Sequence, residues 1–269
     1  EELQGVIDRG DKLVYVPTGR YVVSKSIFLR SNMTLFCEQG AILEAAPGSF
    51  LEATDKPEAS ILVLDRVENV AIFNCVIRGR KPDYGVYRVR PDGTYDLTPN
   101  ALGYVPGEFR HAIRITGSSR VNLYNVTANS SGGDGLYIGP HVLPDKTRVP
   151  CNNVTVRNSV FSDNHRQGIS VLACLGECLI EDCVMSMTKG ASPQAGIDIE
   201  PENGDVVEIT VRRCQSIGNR GSAYLVSLLN TKPSDAPSSV IFESCGSFAV
   251  PPDQQVLRLA NVVSQVGQI

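Results

Sequence analysis

The stretch Ala195-Gly-Ile-Asp-Ile-Glu-Pro-Glu-Asn203 is the most chemically loaded in the chain. Asp198 and Glu200 are two residues apart, so on a strand both carboxylates point to one face, with Cα atoms roughly 6.5–7 Å apart. Two acids so placed repel unless something binds between them. Glu202, Asn203 and Asp205 add to the acidic density, and the bland alternative is a solvated strand end. A further carboxylate, Asp134, lies in Ser130-Ser-Gly-Gly-Asp-Gly-Leu136. A tight turn there would present it at a groove edge, although Asp beside Gly is also ordinary turn chemistry.

Two reactions suit these residues. In the first, Asp134, Asp198 and Glu200 supply a general acid and a base or nucleophile for glycosidic cleavage, with carboxylate separation setting the stereochemistry. No cofactor is required for it. In the second, Asp198, Glu200 and Glu202 hold Ca²⁺, whose preference for oxygen ligands they match. The calcium would neutralise a uronate carboxylate while Arg166, Lys189 or a histidine removes the adjacent proton, giving β-elimination. Arg166 belongs to Asp163-Asn-His-Arg-Gln-Gly168, where a solvated turn is the alternative. His111, His141 and His165 are the only histidines. None has metal-ligand spacing, so a His-based metal site is not expected.

The elements that position these groups emerge from an internal repeat. Two apolar residues at i and i+2 are followed by a polar residue at i+4 and a small one at i+5. Copies begin at Val70, Val121, Val154, Cys178, Ile209 and Val240, at intervals from 24 to 51 residues. Each reads as a strand with one face in the core, ended by a bend at Asn74, Asn125, Asn158, Asp182, Arg213 or Ser244. Asn suits such a bend because it tolerates the left-handed backbone region. A second strand family alternates with the first: Leu62/Leu64, Ile113/Ile115, Leu136/Ile138, Ile169/Val171 and Ile197/Ile199. Two families stacked in step make the coils of an all-β solenoid, a parallel β-helix.

Aligning the second family places Arg114, Tyr137, Ser170 and Asp198 in one outward column. His111, Asp134, Gln167 and Ala195 stack three positions upstream. Substrate binding is therefore expected from His111, Arg114, Tyr137, His165, Gln167 and Lys189. Three loops enter or leave this family: Gly79–Arg110, Pro140–Pro150 and Met187–Gln194. The first carries four of the nine tyrosines, Tyr84, Tyr87, Tyr95 and Tyr104, together with Phe109. Such rings either stack on sugars or pin the loop to the coil body. Cys75, Cys183, Cys214 and Cys245 fall in one inward column, with Cys178 in another. A ladder of buried thiols is the simpler expectation, and a disulfide between adjacent rungs is geometrically allowed.

Composition agrees with a folded, strand-rich chain. Over 269 residues it is 42% hydrophobic and 20% charged, with 24 Gly and 16 Pro. The net charge of −4 argues against a nucleic-acid binder. No run approaches the roughly 20 apolar residues of a membrane span. Residues 1–269 read as one β-helix domain. Glu1–Gly10, with an amphipathic stretch over Glu1–Asp8, is expected as a capping helix and Gln254–Ala260 as one further strand. Oligomeric state is left open. No signal peptide is visible, so either a leader has been removed or none existed.

The segments Leu13-Val-Tyr-Val-Pro-Thr-Gly-Arg-Tyr-Val22, Ile27-Phe-Leu-Arg-Ser-Asn-Met-Thr-Leu35 and Gln39-Gly-Ala-Ile-Leu43 resemble the opening of pectin-lyase-like right-handed parallel β-helix proteins. That superfamily contains glycoside hydrolases, polysaccharide lyases, epimerases and phage tailspikes. The resemblance implies a polysaccharide or oligosaccharide partner and a secreted or periplasmic location. The paired-Asp motifs of polygalacturonases are absent, so their catalytic residues do not carry over. A glycoside hydrolase-like enzyme is the expectation, with a calcium-assisted lyase or epimerase, and a non-catalytic glycan-binding or tailspike-like module, as alternatives.

Overall fold

The computed structural model describes residues 2–50, 56–81, 87–89, 95–97, 109–228 and 236–260. Its plan is the expected stack of coils, with one strand more per coil than the repeat suggests. The chain passes in turn through three sheets, all parallel, each of eight strands among the described residues. The first runs from Leu13–Val16 to Ser239–Glu243 and carries the six repeat copies. The second runs from Ile27–Phe28 to Leu257–Ala260 and carries the second strand family. The third, from Gly19–Val23 to Gly246–Phe248, follows the bend.

The bends behave as their composition dictates. Asn74, Asn125, Asn158, Asp182, Arg213 and Ser244 all have φ between +48° and +61°. Only residues with a compensating local contact sit comfortably there. Asn125 donates to Asn74 Oδ1 at 2.9 Å. Arg213, an unlikely residue for this conformation, grips both Asp182 oxygens at 2.8 Å. The register matches the repeat: Val121 pairs with Val70 and Val154, and Leu123 with Ile72 and Val156. Their side chains join the continuous apolar core.

The cysteines require a correction. Cys75 is not a free rung of a thiol ladder but is joined to Cys37 of the preceding coil, with Cα atoms 4.9 Å apart. Stacked strands lie about 4.8 Å apart, within the range a disulfide spans. Cys178 is joined to Cys174, which a register shift between the two brings within reach. Cys183, Cys214 and Cys245 remain free in the expected column, and the buried Cys151, which stands beside Cys174 in another column, is free as well.

At the amino-terminal end, helix Leu3–Asp8 covers the first coil with Ile7, which is fully buried. Gln4 fixes it by bonding the Phe28 main chain through both its amide atoms. Near the other end the expected strand spans Leu257–Ala260. Among the described residues no helix is long and apolar enough to cross a membrane.

Candidate active site

The second sheet differs from the first in a way that locates the site. First-sheet strands such as Leu13–Val16 alternate exposed and buried residues. Strands Ile113–Thr116, Ile169–Val171 and Ile197–Ile199 are buried on both faces, so their outward face is roofed.

The outward columns have the register read from the sequence. Arg114 pairs with Tyr137, Tyr137 with Ser170 and Ser170 with Asp198. One step along the strands lies a second column of Asp65, Thr116 and Gly139. His111, Asp134, Gln167 and Ala195 are likewise stacked, since main-chain bonds join Ala112 to Asp134, Gly135 to Gln167 and Gly168 to Ala195.

A cleft of about 430 Å³ opens on this face. Of the residues singled out from the sequence, His111, Arg114, Tyr137, Arg166, Glu200 and Glu202 line it. Tyr137 and His111 stack with centroids 4.7 Å apart, and the Arg114 guanidinium sits 5.2 Å from the Tyr137 ring. The ring lies down over Gly139: a Cβ there would fall 2.5 Å from the tyrosine oxygen. His141, weighed from the sequence only as one of three histidines, lines the cleft too, as do Asp65, Thr116 and Arg148, which were not selected from the sequence.

Behind the cleft wall sits a buried polar layer. Asp134 is fully buried rather than presented at a groove edge. Its Oδ2 lies 3.2 Å from His111 Nδ1 and 3.8 Å from Arg166 Nη1. Burial holds the His111 pKa below the usual imidazole range. His165 is pushed down to about 4, first by burial and then by the Lys81 charge. Lys81, at the root of the Gly79–Arg110 loop, donates to Asp163 O, Asp163 Oδ1 and Asn164 O at 2.9, 2.7 and 3.1 Å. Lys189 is exposed and does not line the cleft. Within the loop, Tyr84 and Tyr104 fall outside the described residues, and Tyr87 and Tyr95 begin the strands of an antiparallel pair.

Asp198 is the most perturbed acid of the site. It is 1% exposed, and its pKa is pushed up to about 8 by burial and then by the Glu200 charge, against the pull of Arg166. Gln167 donates to Oδ2 at 2.8 Å, while Oδ1 has no hydrogen-bond partner. Glu200, half-buried, faces the cleft. Among the described residues no group of three or more His, Cys, Asp or Glu is arranged to hold a metal.

The chain belongs to the right-handed β-helix family, whose model, a right handed beta helix region, matches residues 60–245. Among solved structures it is similar to the N-terminal fragment of bacteriophage phi29 gene product 12, at 16% identity and a TM-score of 0.60, covering 97% of this chain and 41% of that one. It is similar also to tailspike protein gp49 from Acinetobacter baumannii bacteriophage Fri1, a capsular polysaccharide depolymerase, at 15% identity and 0.55, covering 96% and 45%. A third is a 1,3-alpha-1,4-beta-D-galactose-4-sulfate-3,6-anhydro-D-galactose-2-sulfate 4 galactohydrolase, at 11% and 0.50, covering 86% and 57%. The chain thus spans under half the length of the two phage proteins. These likenesses establish the fold. A search of curated proteins found no match.

Proposed function

We propose that the protein cleaves glycosidic bonds of a polysaccharide or oligosaccharide lying in the second-sheet cleft. The observation that carries this reading is the unequal pair Asp198 and Glu200: one carboxyl held neutral near pH 7, beside one that faces the cleft. A carboxyl that keeps its proton near neutral pH is suited to supply it to a leaving group.

Asp198 gives its proton to Glu200, the member of the pair that faces the cleft, and Glu200 passes it to the departing glycosidic oxygen. Water adds its oxygen to the anomeric carbon, and its released proton returns to the carboxyl pair, so the reaction is a hydrolysis. Tyr137 stacked on His111 offers an aromatic face with a polar edge, suited to a sugar ring. Arg114 and Arg166 bond to the sugar's oxygens. Asp134 touches no substrate but orients His111 and Arg166 from behind. The shared fold of a capsular polysaccharide depolymerase and a galactohydrolase supports a glycan substrate as analogy only. A secreted or periplasmic location goes with such a substrate.

The test is a polysaccharide panel assayed for new reducing ends with wild type, Asp198→Asn and Glu200→Gln. An enzyme loses turnover in both variants while retaining glycan binding. Products absorbing in the near ultraviolet would instead indicate an unsaturated uronate and a lyase. A panel that yields binding but no new ends would leave a glycan-binding module in place of the enzyme.

A further inference from the structure

The Pro140–Pro150 segment folds as a hairpin, His141–Val142 against Arg148–Val149, and its two strands are tied to distant coils. His141 Nδ1 meets Asp65 Oδ1 at 2.7 Å. Arg148 holds Asp205 through Nε at 2.9 and 3.0 Å and through Nη2. Asp65 ends the second-sheet strand Leu62–Asp65, whereas Asp205 follows the strand Ile197–Ile199, four steps further along that sheet. At about 4.8 Å per rung those coils are roughly 19 Å apart. The hairpin therefore bridges coils four rungs apart, one of its paired strands tied to each.

The fastening at Asp65 is built to a definite geometry. Thr116 donates to Asp65 Oδ1 at 2.6 Å, so that oxygen accepts and His141 Nδ1–H donates. Nε2 is then the ring's second polar atom, without a hydrogen-bond partner among the described residues, in a residue that lines the cleft. The close seat depends on Gly117, at φ +54°, where a Cβ would fall 2.5 Å from the His141 Cβ. Asp65, Thr116 and His141 line one end of the cleft that Glu200 and Glu202 line at the other.

We propose that His141, held by Asp65 and Thr116, forms a distal sugar-binding subsite about four rungs from Asp198 and Glu200, so that the cleft takes a chain of several sugar units. The inference rests on the glycan-cleaving reading and names the length of substrate that the cleft selects. A single sugar bound at the acid pair would leave the His141 end empty. A longer chain gains its contact there, chiefly as binding energy remote from the broken bond.

The test compares wild type, His141→Ala and His141→Gln on the polymer that wild type cleaves in the panel and on its size-fractionated oligosaccharides. For His141→Ala, the loss in kcat/KM should grow with chain length, to about tenfold on the polymer, the worth of one hydrogen-bonded contact. It should fall on KM more than on kcat. His141→Gln, which retains a donor for Asp65, should recover part of that loss, and thermal melts of both variants report on folding. A loss equal at every length, or no loss at any, overturns the subsite while leaving the enzyme intact. If wild type cleaves no polymer, the glycan-cleaving reading itself fails and this inference falls with it.

Discussion

Gln167 presents its amide to Asp198 in one orientation only. Its Oε1 accepts the Ala195 N–H at 2.8 Å, so its Nε2 is the atom that donates to Asp198 Oδ2, also at 2.8 Å. A fully buried glutamine thereby aims a buried acid. Gln167→Glu would set a second carboxyl against Asp198 and remove the donor. Turnover should fall roughly ten- to a hundredfold, the scale of a misplaced acid catalyst. The alkaline limb of the pH profile should move upward, because a like charge raises the acid's pKa. A loss of turnover with an unmoved pH limb would make Gln167 a packing residue only.

Asp198 itself makes a prediction about stability. Its pKa rises on folding from 3.8 to about 8. Between those values the folded chain holds a proton that the unfolded chain has released. Stability therefore declines as pH rises through this window and levels off above it. Asp198→Asn keeps an acceptor for Gln167 and cannot ionise. It should be more stable than wild type by up to about 5 kcal/mol above pH 8, with the advantage vanishing towards pH 4. Chemical denaturation across that range measures it, and a pH-independent difference would contradict the assignment.

The Tyr137 ring depends on its neighbour two residues on. Its atoms come within 2.5–2.6 Å of where a Gly139 Cβ would stand. Gly139→Ala must push the ring off the sheet and out of its stack with His111. The expected cost is about 1–3 kcal/mol of stability, as for other overpacked sites, with glycan affinity weakened as it would be in Tyr137→Ala. Near-ultraviolet circular dichroism and a binding titration check both. Unchanged affinity would remove Tyr137 from the platform.

Much of this was legible in the sequence because the solenoid repeats one piece of geometry. Six bend residues could be named from spacing, and all six have positive φ. The outward columns were legible for the same reason: inward Ile and Leu at i and i+2 fix which side chains face out. The third sheet was not. Its strands Val76–Arg78, Thr127–Asn129, Val160–Ser162 and Val184–Ser186 are three residues long and bury only the middle one. One inward residue per strand, Ile77, Ala128, Phe161 or Met185, leaves no alternation to detect. The His141–Asp65 contact was hidden for another reason. It joins residues 76 apart in sequence through a hairpin that returns over Gly117, and no local pattern encodes that return. Nor could spacing reveal that Asp134 is buried against His111 and Arg166, residues 23 and 32 positions away in sequence.

The buried His165 should govern the acid limit of the fold. Its pKa falls from 6.5 to about 4 on folding, through burial and then the charges of Lys81, Arg110 and Arg166, with Asp134 acting in opposition. Between those values the unfolded chain takes up a proton that the folded chain refuses. Stability is therefore present above pH 6.5 and is lost as pH falls towards 4. His111 acts in the same direction, so removing His165 alone should flatten the decline without abolishing it. His165→Gln, uncharged at every pH, should lose about 1–3 kcal/mol less than wild type between pH 7 and pH 4, as read from urea midpoints. The packing around the ring offers an independent check. A Cβ on Gly190, at φ +149°, would lie 2.1 Å from His165 Nδ1 and 2.5 Å from the His165 main-chain oxygen, so Gly190→Ala must displace both the ring and the backbone beside it. Its acid sensitivity should then shrink even as its stability at neutral pH falls. Equal acid slopes in wild type and both variants would show that His165 does not set the limit.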